Sequence, residues 1–276
     1  MESTSSGAGM ECPADSDLTW ACMERLLMDN LRLYHHPLGV TFLFSDEEVA
    51  AFRAECVCEV PAKPLTYCQW ELGARMQGRT VLGTADRLFC TNAQCSFGWR
   101  EIDDGEVRSQ LKYCRDEEQA RRFLESKPRM PMGALKAVAV APLGACRRPP
   151  HVVRVLCDAM QAYHLAVDYM AAMDVHPLPT QLLMSSSSCG GSVWCWQSGT
   201  FNFSTPCSGS YNAGKMERGE TNVFIPGGHL QPLVRRMLER VGRCGSAAIT
   251  RPGDFFPGGD ICKNCPLILF KKPRAD

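Results

Sequence analysis

The chain holds sixteen cysteines in 276 residues, and some of their spacings could do chemistry. Cys262-Lys263-Asn264-Cys265-Pro266 is a C-x2-C pair followed by proline, the form of part of a ferredoxin cluster-binding run. Cys56 and Cys58 make a C-x-C pair that, like Cys244, would complete a second site with it. The stretch from Met1 to Ser16 is rich in Ser, Gly and acidic residues and lacks the basic-then-apolar pattern of an export signal. The expectation is therefore a cytoplasmic chain with reduced thiols that serve as metal ligands or redox groups, not as disulfides.

The elements that must position these thiols follow from periodicity. A helical period runs from Asp17 to about Leu33, and Gly39 to Phe44 reads as a buried strand. Ser45-Asp46-Glu47-Glu48 is a capping box that opens a helix to about Ala54. Cys68 to Met76 reads as a helix closed by Gly78, and Thr80 to Gly83 as a strand. Asp116 starts a helix that Pro128 stops, and Asp158 starts another to Met173. Leu135–Ala141, Val152–Leu156, Leu182–Met184 and Val223–Ile225 are strand-like, and Leu230 to Val241 is an amphipathic helix. The class is α/β, with mixed sheets and packed helices. Residues 1–15 read as disordered, 16–245 as one domain and 246–276 as a C-terminal extension.

The order of elements repeats, which divides the domain into halves over 35–130 and 135–245. In each half a strand and a helix precede a cysteine that opens a helix. A strand and a second cysteine then follow. The cysteines are Cys68 and Cys90 in the first half, with 21 residues between them, and Cys189 and Cys207 in the second, with 17. Cys189 follows Cys68 by 121 residues, and Cys207 follows Cys90 by 117. Two equivalent halves would each offer a cysteine pair to a shared site. Coincidence between two ordinary α/β stretches is the plain alternative.

The same residues carry a family resemblance. Pro37-Leu38-Gly39-Val40-Thr41-Phe42, Tyr67-Cys68, Leu88-Phe89-Cys90, Phe97-Gly98, Val140-Ala141-Pro142-Leu143, Cys189, Cys207 and Ile225-Pro226-Gly227 together resemble the family catalogued as domain of unknown function 169, over roughly residues 20 to 245. The resemblance implies relatives found largely in anaerobic bacteria and archaea, and it brings no assigned activity. The family pattern often carries another cysteine three residues after Cys207, where this chain has Ser210.

Four thiolates from Cys68, Cys90, Cys189 and Cys207 suffice for a [4Fe–4S] cluster or for a structural zinc, and Cys262 with Cys265 would add a second metal site. The small residues Ser185–Ser188 with Gly190 and Gly191, and those around Cys207, would let backbone N–H groups approach a cluster. Trp70, Trp99, Trp194 and Trp196 would shield it or form plain core. Cys95 and Cys195 are alternate ligands, and Cys12, Cys22, Cys114, Cys146 and Cys157 are structural thiols. His35 and His36 read as a surface turn and His164 as a satisfied, partly buried histidine.

Other classes are excluded. Lys and Arg total 30 against 30 Asp and Glu, so net charge does not point to nucleic acid. No apolar run approaches a membrane span. There is no nucleophile elbow, phosphate loop or dinucleotide fingerprint. The reading is an iron–sulfur protein of anaerobic metabolism, served by a redox partner protein or a small-molecule substrate and compatible with a homodimer. The alternatives are a zinc- or thiol-stabilised binding or accessory module, and a thiol reductase using Cys262 and Cys265.

Overall fold

The structure is a computed structural model that describes residues 18–182, 186–212, 214–217 and 219–244. The N-terminal segment, most of the 182–184 run and the extension with Cys262 and Cys265 lie outside the described residues.

Continuous runs of Val, Ala and Leu can satisfy burial only on both faces of a sheet. Three such runs form its middle: β1 (Leu38–Leu43), β3 (Ala137–Pro142) and β4 (Val152–Cys157), with all six residues of each buried. With β2 (Val81–Gly83), β5 (Asn202–Ser204) and β6 (Thr221–Pro226) they make one six-stranded sheet, ordered β2-β3-β1-β4-β6-β5. Every pairing between these strands is antiparallel, and Val40 of β1 stands opposite both Val140 and Val152. Parallel bridges from Glu59 to Val81 and from Leu65 to Leu88 extend the β2 edge. The fold is thus mixed α/β, with its named strands gathered into a single sheet.

Side chains alternate across the pleat. On one face lie α3 (Tyr67–Gln77), α4 (Thr91–Ser96) and α8 (Cys189–Ser198), whose Tyr67, Trp70, Ala93 and Val193 pack on Val40, Val138, Val140 and Phe224. The other face carries α1 (Trp20–Leu31), α7 (Ala159–Met173) and α10 (Leu230–Cys244) over Val153, Val155, Val223 and Ile225. There α2 (Asp46–Glu55) covers Leu43, Leu82 and Ala139 through Phe52. Two short helices, α5 (Asp104–Ser109) and α6 (Glu117–Glu125), enclose a satellite cluster of Val107, Cys114, Ala120 and Leu124. No helix among the described residues is long and apolar enough to cross a membrane.

Helix ends follow the capping chemistry with one difference. Ser45 accepts from the Glu48 amide as expected, but the Glu48 carboxylate accepts from the Phe44 amide at 2.6 Å, one residue before the reciprocal position. The reciprocal boxes are Thr66 with Gln69 and Asp158 with Gln161. The first helix starts at Trp20 with Thr19 as its cap.

Read outward from the central β1/β4 pair, the strands run β1, β3, β2 on one side and β4, β6, β5 on the other. Gly78 and Gly199 close α3 and α8 in the left-handed region, at φ 67° and 65°. They are 121 residues apart, as are Cys68 and Cys189 and the first residues of β2 and β5. Pro142 and Pro226 each lead into a 3-10 turn. The helices match less well: α7 is five residues longer than α2, and α5 and α6 lie between β2 and β3, a stretch that holds only α9 (Ser208–Asn212) on the other side.

Candidate metal centre

Cys68, Cys90, Cys189 and Cys207 all line one cavity of about 310 Å³. Each sits at the start of a helix: Cys68 is the second residue of α3, Cys90 caps α4 and Cys189 is the first residue of α8. The Cys207 carbonyl accepts from the amides of Ser210 and Tyr211 in the opening turn of α9. Local chemistry fixes these starts. Thr66 and Gln69 box in α3, and the Ser187 hydroxyl accepts from the Cys207 amide at 3.0 Å, tying that loop to the approach to α8. The positive ends of the longer helices α3 and α8 favour the thiolate form of Cys68 and Cys189.

Ser210 lies between two of the thiols. Its hydroxyl is 3.1 Å from the Cys68 sulfur and 3.2 Å from the Cys207 sulfur. Three residues after Cys207, it joins the site as a hydrogen-bonding group.

Burial dominates the electrostatics. It pushes the Cys68 thiol up to about 12, with the Glu71 carboxylate adding to the rise and the Ser210 hydroxyl opposing it. Burial raises Cys90, against the opposing backbone amides of Ala93 and Asn92. Cys189 is carried well above its ordinary value by burial, then by the neighbouring Cys90 and Cys68. Thiols held protonated in this way give up protons when a cation binds, so ligation here is coupled to proton release.

Buried cations stand ready to balance such charge. Lys127 is 6% exposed and donates to Asn92 Oδ1 at 2.9 Å. Burial lowers its pKa while the Cys189 thiol acts to raise it. Beneath the cavity Arg154, 2% exposed, meets Glu71 Oε2 at 3.0 Å, Asn222 Oδ1 at 3.1 Å and Ser188 Oγ at 3.2 Å. Sequence reasoning passed over Arg154, although a guanidinium inside the run Val152-Val153-Arg154-Val155-Leu156 is the kind of buried charge that needs a partner. It also passed over Gln110, Lys112 and Lys215, which line the same cavity.

Several expectations need correction. None of Trp70, Trp99, Trp194 and Trp196 lines the cavity. Trp70 is core, and Trp196 packs with Phe42 and Phe44. Cys95 and Cys195 do not reach the cavity either: Cys95 lines a separate cleft and Cys195 is fully buried in the core. Gly191 is small for the sake of the sheet, since a Cβ there would stand 2.5 Å from the Phe224 ring. His164 is partly buried, but neither ring nitrogen has a hydrogen-bond partner among the described residues. His35 and His36 do sit at a turn, where they face Glu220 and Glu24.

Cys56 and Cys58 pack beside Phe52 on the opposite face of the sheet. Cys56 shares a narrow cleft there with Cys146, which the sequence had left ungrouped. Cys262 and Cys265 lie outside the described residues, and so does the Cys244 side chain.

The four-cysteine donor set suits soft metals. Among the described residues, however, no three His, Cys, Asp or Glu side chains gather closely enough to hold a single ion.

Comparison with known proteins gives one family. The model for domain of unknown function 169, described as "Uncharacterised ArCR", matches residues 26–236. No curated protein and no solved structure matches the chain.

Proposed function

The chain belongs to that family, and from this premise we propose that it is an iron–sulfur protein whose [4Fe–4S] cluster is held by Cys68, Cys90, Cys189 and Cys207. The observation that carries the reading is the convergence of four helix-start cysteines, two from each side of the central strand pair, on one cavity. A single zinc would draw four sulfurs to within about 2.3 Å of one point. A cluster spreads its metal over several corners and takes one thiolate at each. Two repeated halves would relate these thiols pairwise, and the strand order outward from the central pair supports that reading.

This group would supply a one-electron couple or, with an open iron, a Lewis acid. The chain's own residues would supply the rest. Ser210 would hydrogen-bond to the Cys68 and Cys207 sulfurs and lower their charge density. Arg154 and Lys127 would offset the negative charge of four thiolates from below and beside. Gln110, Lys112 and Lys215 leave part of the cavity wall free of sulfur, which favours a small molecule bound alongside. Electrons would come from a redox partner protein, since the sequence has no flavin or nicotinamide motif. The expected setting is low-oxygen metabolism in the cytoplasm.

The Ser210 hydroxyl between the Cys68 and Cys207 sulfurs, with burial raising the Cys68 and Cys189 thiols, favours one other reading, a thiol-stabilised binding module without metal. A visible spectrum of anaerobically purified protein separates the two. The cluster gives a broad charge-transfer band near about 400 nm that oxidant bleaches. A colourless protein that contains zinc or no metal overturns the cluster.

A further inference from the structure

The non-sulfur wall of the cavity has a chemistry of its own. Gln110 is 3% exposed; its side-chain amide donates to Glu106 and Ser109, while its carbonyl oxygen has no partner among the described residues. The Ser186 hydroxyl, on a residue 4% exposed, also has none. Buried polar atoms left unpaired cost stability, and Gln110 and Ser186 both line the cavity, so a ligand there toward which these side chains turn would pair them. Ser186 also holds its backbone at φ 61°, in the left-handed region, a strained conformation of the kind that collects at ligand sites.

Two cations face the same space. Lys215 donates to Thr66 Oγ1 at 3.0 Å, and Lys112 lies over the Tyr113 ring. Thr66, Tyr113 and both lysines line the cavity, and among the described residues no Asp or Glu does. A guest is therefore matched by negative charge and by at least one O–H or N–H that the Gln110 oxygen can accept.

We infer that the cavity binds a small hydroxy- or aminocarboxylate, its carboxylate toward Lys112 and Lys215 and its O–H or N–H donating to Gln110. The inference rests on the reading of this cavity as the working site. It gives that reading a ligand class, since a carboxylate with an adjacent donor combines both features in a volume of about 310 Å³.

Calorimetric titration of the anaerobically purified protein with malate and with succinate, which lacks only the hydroxyl, tests it. Malate is expected to bind about tenfold more tightly than succinate, the worth of one hydrogen bond to an otherwise unpaired buried acceptor. Gln110→Met is expected to abolish that preference and leave succinate binding unchanged. Lys112→Met is expected to weaken both acids. Equal binding of the two acids by the wild-type protein, or binding of neither, overturns the inference without recourse to any variant. Iron analysis of the same samples separates this outcome from the cluster. Iron without malate binding contradicts the ligand class alone, and malate binding without iron contradicts the cluster alone.

Discussion

The Ser210 hydroxyl lies 3.1 Å from the Cys68 sulfur, although 141 residues separate the two in the chain. The contact joins the opening turn of α9 to the opening turn of α3, and with them the two sides of the sheet. Because the hydroxyl opposes the rise in the Cys68 pKa, Ser210→Ala should raise it further. Cys68 in the metal-free variant should then alkylate more slowly near pH 9 than in the metal-free wild type, as read by peptide mass spectrometry. An unchanged rate would mean that the hydroxyl does not donate to this sulfur.

Arg154 and Glu71 form a pair of side chains 2% and 3% exposed. Removing one partner strands a buried charge, so Arg154→Met should cost about 3–5 kcal/mol in urea unfolding near neutral pH. The pH dependence has a definite sign. Burial already raises the Glu71 pKa, and Arg154 is the chief influence lowering it. Without Arg154 the folded pKa climbs further above the unfolded value. The favourable contribution of the protonated carboxyl is present below the unfolded pKa and is lost as pH rises through the folded one. The variant should therefore recover stability relative to wild type as pH falls from 8 toward 5, and Glu71→Gln in the same background should restore part of it at pH 8.

Gly191 and Gly242 should respond in opposite directions to alanine. A Cβ at Gly191 would press on Phe224 and push α8 from the sheet, which should cost about 1–3 kcal/mol and displace Cys189. Gly242 is exposed in α10, and among the described residues nothing stands where a Cβ would go. Gly242→Ala should stabilise by about 0.5–1 kcal/mol. Thermal unfolding of both variants checks the packing.

Asp168 and Arg240 bind α7 to α10 on the face away from the cysteines, with both hydrogen bonds at 2.7 Å. Asp168 is 1% exposed, so Arg240→Met should destabilise strongly, by about 3–5 kcal/mol. It should leave bound iron per folded chain unchanged. A parallel loss of iron would mean that the cysteine site depends on the far face of the sheet.

The central strands were legible because their apolar runs are uninterrupted, and α7 was legible because Asp158 and Gln161 mark its start. The grouping of Cys68, Cys90, Cys189 and Cys207 in one cavity was legible from the family resemblance taken with the order of elements. The sheet order was not, since residues 39–44 say nothing about whether their neighbour is strand 137–142 or 152–157. Nor were α4 and α5, each only six residues long and too short to show a period. The Ser185–Ser188 run was legible as a wall of the site, but Gln110 escaped notice because it lies far in sequence from the paired cysteines and nothing local marks it as buried. Of the two readings of the tryptophans, Trp70 took plain core: closeness to a cysteine along the chain is not closeness in the fold.

The central claim is tested most directly by measuring iron and sulfide per chain in anaerobically purified wild type and in five single variants. These are Cys68→Ser, Cys90→Ser, Cys189→Ser, Cys207→Ser and Cys146→Ser, the last in the separate cleft across the sheet. The account predicts about four iron and four sulfide in the wild type, or about eight of each if Cys262 and Cys265 hold a second cluster. It predicts a clear loss in each of the first four variants and none in Cys146→Ser. Full iron in all four, or zinc in place of iron in the wild type, would contradict it.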